Sequence, residues 1–169
     1  MRISTFIATA ASVAVVSVVG GLASGPSVQS KWYARLRKPF YQPPGQVFPV
    51  VWPALYADIA VVSASTIDQL HDSDDQKQVR AYQTALGINL LLNGSWSWLF
   101  FNRHYLATSA AVAGALTASS ADLTRRAVAA GGPRAAPLGL YPLWCFFATV
   151  LSTHIWVLNR RRRPFHDDR

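Results

Sequence analysis

The chain has 169 residues with a formal net charge of +8; only 14% of its residues are charged and 51% are hydrophobic. A soluble domain usually has about 25% charged residues, so the composition favours a membrane protein. The single cysteine, Cys145, excludes an internal disulfide and multi-cysteine metal sites, and the lack of any Glu excludes an HExxH metalloprotease.

Five apolar segments follow one another, separated by short polar loops. A helix needs roughly 20 apolar residues to cross the hydrocarbon core of a bilayer. The pattern predicts an all-α integral membrane protein, a five-transmembrane-helix bundle in a single domain (residues 1–169) that ends in a basic tail (160–169). The predicted spans are roughly 3–25, 47–69, 81–102, 105–127 and 136–159.

These segments have two other interpretations. The first span resembles a cleaved signal peptide, but its uncharged run, residues 3–30, is longer than a usual signal-peptide core. A soluble helical bundle would show polar helix faces, and the third and fifth segments show none. The arginine run at 160–163 is typical of a membrane anchor, so we expect no nucleic-acid partner.

The basic residues predict an N-outside, C-inside orientation. In this orientation ten of the 16 cations face inward, as the positive-inside rule favours. They lie in the first loop, the third loop and the tail: Lys31, Arg35, Arg37, Lys38, Arg103, Arg160, Arg161, Arg162, Arg163 and Arg169. Since Arg2 is the only cation near the N-terminus, no transit peptide is expected, and we predict the plasma membrane of a bacterium.

The first loop, residues 32–44, alternates aromatic and basic side chains and contains three prolines. Proline fixes the backbone and removes hydrogen-bond donors, so this loop cannot be one regular helix. We predict an amphipathic cap at the membrane interface, with an ordinary anchoring loop as the alternative. The residues predicted to form the rim of a site are Tyr33, Arg35, Lys38, Pro43 and Pro44.

Three of the spans carry aromatic residues at helical spacing. In the second span Trp52 and Tyr56 are four residues apart and share a face. In the third span a stripe contains Asn89, Asn93, Trp96 and Phe100, and it should face inward because amides in membrane helices avoid lipid. Trp98 should instead point to lipid or to another subunit.

In the fifth span Trp144 and Ala148 lie on one face. A bulky aromatic beside a small residue can leave room for a flat ligand, although ordinary core packing is the alternative. We predict an aromatic-lined cavity between the second, third and fifth spans, beneath the first loop, and no metal site. The predicted ligand-contacting residues are Trp52, Tyr56, Asn93, Trp96, Trp144 and Ala148.

Together these motifs resemble the TspO/translocator protein family, whose members are also called tryptophan-rich sensory proteins or peripheral benzodiazepine receptors. The resemblance covers about residues 20–159 and is carried by Trp32-Tyr33, Leu36, Lys38-Pro39, Pro43-Pro44, Phe48, Val51-Trp52, Leu55-Tyr56, Asn93, Trp96-Ser97, Phe100-Phe101, Tyr141, Trp144 and Phe147-Ala148. The chain departs from the family pattern at Leu140 and Ser152, where the family has proline and asparagine. It also lacks a tyrosine after Tyr141, so the resemblance does not extend to sterol handling.

The resemblance implies a membrane protein that binds a flat hydrophobic ligand, a tetrapyrrole such as protoporphyrin IX or haem, for sensing, sequestration or transport. It also implies a homodimer that requires no cofactor. Asn93 would be the polar handle inside the cavity, and Arg35, Arg37 or Lys38 would meet the propionate carboxylates at the rim by charge-assisted hydrogen bonds.

Two other classes of function stay open. Members of the family are described as degrading porphyrin in light, which would place the chemistry at Trp52 and Trp144, but no acid–base pair or nucleophile in the sequence supports an enzyme. A transporter or scaffold would use Asp58, because an ionisable residue within a span is a functional candidate. His154 is a candidate partner for Asp58 or a candidate haem ligand.

Overall fold

The computed structural model describes residues 2–160, apart from the side chain of Pro26. Five long helices and one short helix occupy most of this range. They are α1 (Ile3–Val28), α2 (Lys31–Arg35), α3 (Phe48–Asp72), α4 (Gln76–Phe101), α5 (Leu106–Gly131) and α6 (Leu140–Asn159). The prediction of an all-α bundle of five long helices is confirmed. Arg161, Arg162, Arg163 and Arg169, which form most of the predicted basic tail, lie outside the described residues.

Four helices run past the predicted spans, and the largest extensions are those of α4 and α5, where capping residues set the ends. Helix α4 begins at Gln76 rather than near residue 81, since the Asp75 carboxylate caps it by accepting the Gln78 backbone N–H at 3.0 Å. Helix α5 continues to Gly131, and the residue that caps it is Gly132, whose φ of 61° suits glycine. The extension of α4 is a polar turn, which a hydropathy pattern alone does not assign to a span.

By length and apolar composition, three stretches are long enough to cross a membrane: Ile3–Gly25, Gly45–Asp72 and Leu106–Asn159. The last of these contains both α5 and α6, joined by a 3₁₀ segment over Gly132–Gly139. Helix α4 is not among these stretches, because polar side chains such as Asn89 and Asn93 lower the hydropathy of its apolar part. With 26 residues it is nevertheless long enough to span, and it packs within the bundle.

The first helix is an integral part of the bundle. It packs against α3 and α4, while α5 packs between α4 and α6. At the contact of α1 with α4, a Cβ on Gly20 would lie 3.4 Å from Ser97 Oγ, so a glycine permits this close approach. Helices α3 and α6 face each other mainly through large aromatic side chains rather than through close backbones. This separation leaves space between them.

Side-chain hydrogen bonds join neighbouring segments at each end of the bundle. At the loop end, the Asn159 side chain accepts the Arg37 backbone N–H at 3.1 Å and donates to the Arg37 carbonyl at 2.9 Å. At the opposite end, the backbone N–H of Arg2 donates to Asp68, and its guanidinium bonds Asp72 at 2.8 Å. The first loop and α1 are therefore each fixed to another helix.

Because successive helices alternate in direction, the described cations of the first loop, the α4–α5 loop and the end of α6 lie at the same end of the bundle. They are Lys31, Arg35, Arg37, Lys38, Arg103 and Arg160. The described aspartates lie within the spans or toward the other end. This distribution agrees with the charge bias of the sequence, and the absolute orientation in the membrane stays a prediction.

Candidate functional site: an aromatic cavity near the loop end

A cavity of about 500 Å³ opens near the loop end of the bundle. Its walls come from the C-terminal halves of α1 and α4, the N-terminal half of α3 and the face of α6 between Trp144 and Ile155, with loop residues Tyr33 and Gln42 at its edge. Its volume lies within the range of roughly 300–1,000 Å³ typical of small-molecule sites. The described residues that line it include no Asp, Lys, Arg or His.

Three tryptophans form much of the cavity wall. Trp52 stacks on Tyr56 with ring centroids 5.5 Å apart, and it meets the edge of Trp144 at 6.5 Å. Trp96 stacks on Phe100 at 5.5 Å. Flat aromatic surfaces of this kind favour a ligand that is itself flat and apolar, since offset-stacked and edge-to-face contacts add to area burial.

Five of the six predicted ligand-contacting residues line this cavity: Trp52, Tyr56, Trp96, Trp144 and Ala148. The sixth, Asn93, is 2% exposed and is not among the lining residues. Its side chain lies behind the wall because the Tyr56 hydroxyl donates to Asn93 Oδ1 at 2.8 Å. The structure therefore gives Asn93 protein partners, and its contact with a ligand stays a prediction.

Asn93 belongs to a chain of hydrogen bonds that crosses the bundle. Asn93 Nδ2 donates to the Tyr141 hydroxyl at 3.1 Å, and that hydroxyl donates to Asn89 Oδ1 at 2.9 Å. Asn89 Nδ2 then donates to Ser119 Oγ at 3.2 Å. The chain joins α3, α4, α6 and α5, so the inward-facing amides of α4 are satisfied by the protein itself.

The predicted rim is only partly at the cavity. Tyr33 lines it, whereas Arg35, Lys38, Pro43 and Pro44 do not. Lys38 Nζ donates to the Tyr33 carbonyl at 2.6 Å and lies 4.3 Å from the centre of the Tyr33 ring. Partial burial lowers the pKa of the Lys38 amine. Lys38 thus contacts Tyr33, which lines the cavity, and does not line the cavity itself.

Gln42, which sequence reasoning missed, is the main polar side chain of the loop at the cavity. Its Nε2 donates to the Tyr33 hydroxyl at 3.2 Å. Burial raises the pKa of Tyr33, and the Gln42 bond opposes that effect. Gln42 Oε1, Trp96 Nε1 and Trp144 Nε1 are buried without a hydrogen-bond partner among the described residues. Such atoms are uncommon in folded proteins, and these three belong to residues that line one cavity.

Helix α1 supplies a wall that no sequence pattern predicts. Small residues along one face of its C-terminal half line the cavity: Ser17, Gly20, Gly21, Ser24 and Gly25. Small side chains on a membrane helix usually permit close helix packing, so they carried no signal of a ligand site. Phe48 and Phe101 complete the aromatic lining. Both belong to the motifs that carry the family resemblance, but neither is among the predicted ligand-contacting residues.

Asp58 and His154, the two candidates for other functions, lie outside the cavity lining. Asp58 Oδ2 has no hydrogen-bond partner among the described residues. His154 Nδ1 lies 3.0 Å from the Tyr41 hydroxyl, so it ties the first loop to α6. No group of three or more His, Cys, Asp or Glu suited to a metal ion occurs in residues 2–160.

Comparison with known proteins gives a consistent result. The TspO/MBR family profile matches residues 8–157. The translocator protein of Sus scrofa is 32% identical over 157 residues, covering 88% of this chain and 89% of that protein. The tryptophan-rich protein TspO of Archaeoglobus fulgidus is 33% identical over 60% of this chain and 62% of its own length. The tryptophan-rich sensory protein of Cereibacter sphaeroides is 35% identical over 48% of each chain.

Proposed function

Since the chain belongs to the TspO/MBR family of membrane proteins, we propose that its cavity binds a flat hydrophobic ligand, a tetrapyrrole such as protoporphyrin IX. One observation carries the proposal: a cavity of about 500 Å³ is walled by Trp52, Trp96 and Trp144, and its described lining has no acidic or basic side chain. Such a cavity suits a large apolar ring system and disfavours a ligand whose buried part is charged.

The charges of a tetrapyrrole would lie outside the cavity. Protoporphyrin carries two propionate groups, and the described cations near the cavity all belong to the loop end of the bundle. Arg37 is a suitable partner for a carboxylate because only its backbone is bonded by Asn159, which leaves the guanidinium to reach outward. The macrocycle would then lie among the tryptophans, with its carboxylates toward the cationic end.

The test is titration of the purified protein, held in lipid nanodiscs, with protoporphyrin IX, followed by the absorbance of the porphyrin. We expect saturable binding that weakens on the order of tenfold in Trp52→Ala and Trp144→Ala, since each loses a large stacking surface. Trp98→Ala is the matched control, because Trp98 is 49% exposed on the outer surface. Wild-type affinity in both cavity variants would contradict the proposal.

The same titration also distinguishes binding from degradation. Repeating it in darkness and in light shows whether bound porphyrin is merely held or is consumed. We propose binding without turnover, in a homodimer in a bacterial plasma membrane, in a sensing or sequestering role.

Chemical cross-linking in native membranes tests the dimer: a product of twice the chain mass is expected, and a product of chain mass only would contradict it.

A further inference from the structure

The hydrogen-bond chain behind the cavity couples the direction in which the Tyr56 hydroxyl bonds to the directions of the other bonds in the chain. Tyr56 Oη gives its hydrogen to Asn93 Oδ1, because the Asn93 amide nitrogen is already directed at Tyr141. Tyr141 in turn donates to Asn89, whose nitrogen donates to Ser119. Each member acts as donor to the next or as acceptor from it, so reversing one bond would require reversing the whole series.

This arrangement determines whether the Tyr56 hydroxyl faces the cavity as a hydrogen-bond donor or as an acceptor. A hydroxyl has one hydrogen and two lone pairs, and here the hydrogen is committed to Asn93. The oxygen lies on the cavity side, since it is 3.9 Å from the position that a Cβ on Gly20 would occupy, and Gly20 also lines the cavity. Tyr56 therefore presents an acceptor to a ligand.

We propose that the chain from Ser119 to Tyr56 makes the cavity selective for flat ligands that direct an outward N–H or O–H donor at Tyr56. The inference rests on the proposed function and adds to it a rule of selection among flat ligands. Tyr141 and Asn89 are positioning residues in this account, because neither lines the cavity and both act through Asn93. An open-chain tetrapyrrole, whose pyrrole N–H groups can point outward, has the required chemistry.

A pair of nearly isosteric tricyclic probes tests this selectivity. Carbazole and dibenzofuran are both flat and differ in an N–H group against a ring oxygen. We expect wild-type protein to bind carbazole about five-fold more tightly, the ratio that one ordinary hydrogen bond supplies. Competition against bound protoporphyrin measures both affinities. Equal affinities, or a preference for dibenzofuran, would overturn the inference while porphyrin binding itself stands.

Variants locate the origin of the preference. Tyr56→Phe should reduce the ratio to about one, and so should Tyr141→Phe, which leaves Asn93 free to turn its amide. The matched control is Tyr82→Phe, because Tyr82 is 1% exposed and donates to Ser63 at 3.0 Å, outside the chain. A ratio that survives in Tyr141→Phe would overturn the role of the chain. If a variant fails to fold, the wild-type ratio still decides the main point.

The outcomes separate this inference from the proposed function. Loss of all flat-ligand binding in wild-type protein, protoporphyrin included, would contradict the proposed function. Protoporphyrin binding that is lost in Trp144→Ala, together with no preference for carbazole, would contradict the selectivity alone.

Discussion

Tyr56 on α3 and Asn93 on α4 are joined by a 2.8 Å hydrogen bond that closes the cavity wall at its inner side. Asn93 also donates to Tyr141 on α6, so a single amide connects three helices. An amide that binds ligand would need a free donor or acceptor facing the cavity. The finding assigns Asn93 to holding the wall, and this assignment can be tested by stability and affinity together.

Asn93→Ala should lower stability more than affinity. The change leaves the Tyr56 and Tyr141 hydroxyls without their Asn93 partner in an apolar interior, at a cost of about 1–2 kcal/mol. Thermal unfolding in detergent measures the loss, and porphyrin titration of the folded variant should give an affinity within about three-fold of wild type.

The control for Asn93 is Ser95→Ala on the same helix. Ser95 is exposed and bonds only the carbonyl of Leu91 in its own helix, so little change in stability is expected. A stable Asn93→Ala variant with strongly weakened porphyrin binding would show that Asn93 contacts the ligand directly, as the sequence pattern alone suggests.

Much of this architecture follows from the sequence because its signals are local. The apolar segments and the Trp52–Tyr56 and Trp144–Ala148 spacings place aromatic side chains on inward faces without knowledge of the fold. The motif resemblance to the TspO family is confirmed by the profile match over residues 8–157. Local patterns therefore predict the helices, the family and the tryptophans of the cavity wall.

What the sequence could not show depends on contacts between helices. Whether Asn93 faces a ligand or a tyrosine depends on how α3 and α6 pack, and its helical position is the same in both cases. The wall from α1 is made of glycine and serine, which carry no chemical signature of a site. The contact between Lys38 and Tyr33 also depends on tertiary structure, since the loop must fold back to bring the two residues together.

Asn159 should control how often the first loop opens. Its side chain forms two hydrogen bonds to the Arg37 backbone, and the loop carries Tyr33 and Gln42 to the cavity edge. Asn159→Ala removes both bonds, so local opening should increase on the order of tenfold. Limited trypsin digestion measures it, as faster cleavage after Arg35 or Arg37.

Asn102→Ala is the control for the loop. Asn102 is exposed at the end of α4, at the same end of the bundle, and caps its helix by its backbone N–H. Unchanged digestion in Asn159→Ala, with porphyrin dissociating at the wild-type rate, would contradict the role of these bonds in holding the loop closed.

Asp75 should make stability depend on pH in the acid range. The Gln78 backbone N–H bonds its carboxylate and holds the pKa of Asp75 below the ordinary value of 3.8. A carboxyl whose pKa is lower in the folded state stabilises the fold above its unfolded pKa. This stabilisation is lost as the pH falls through the folded value.

The measurement is the unfolding temperature of wild type and of Asp75→Ala as the pH is lowered from 7. Wild type should be the more stable at pH 7, and the difference should shrink below about pH 4. Asp75→Asn is the matched variant, since asparagine caps helices without a titrating group. A wild-type advantage over Asp75→Ala that stays constant down to the lowest pH would contradict the account.

The most direct test of the claim that the cavity binds a tetrapyrrole is to replace a small lining residue by a large one. Ala148 lines the cavity from α6, and a phenylalanine there would occupy the space proposed for the macrocycle. Ala115, exposed on α5, provides the same substitution away from the cavity. The account predicts that Ala148→Phe folds and weakens protoporphyrin IX binding at least about tenfold while Ala115→Phe binds normally. A folded Ala148→Phe protein with wild-type affinity would contradict it.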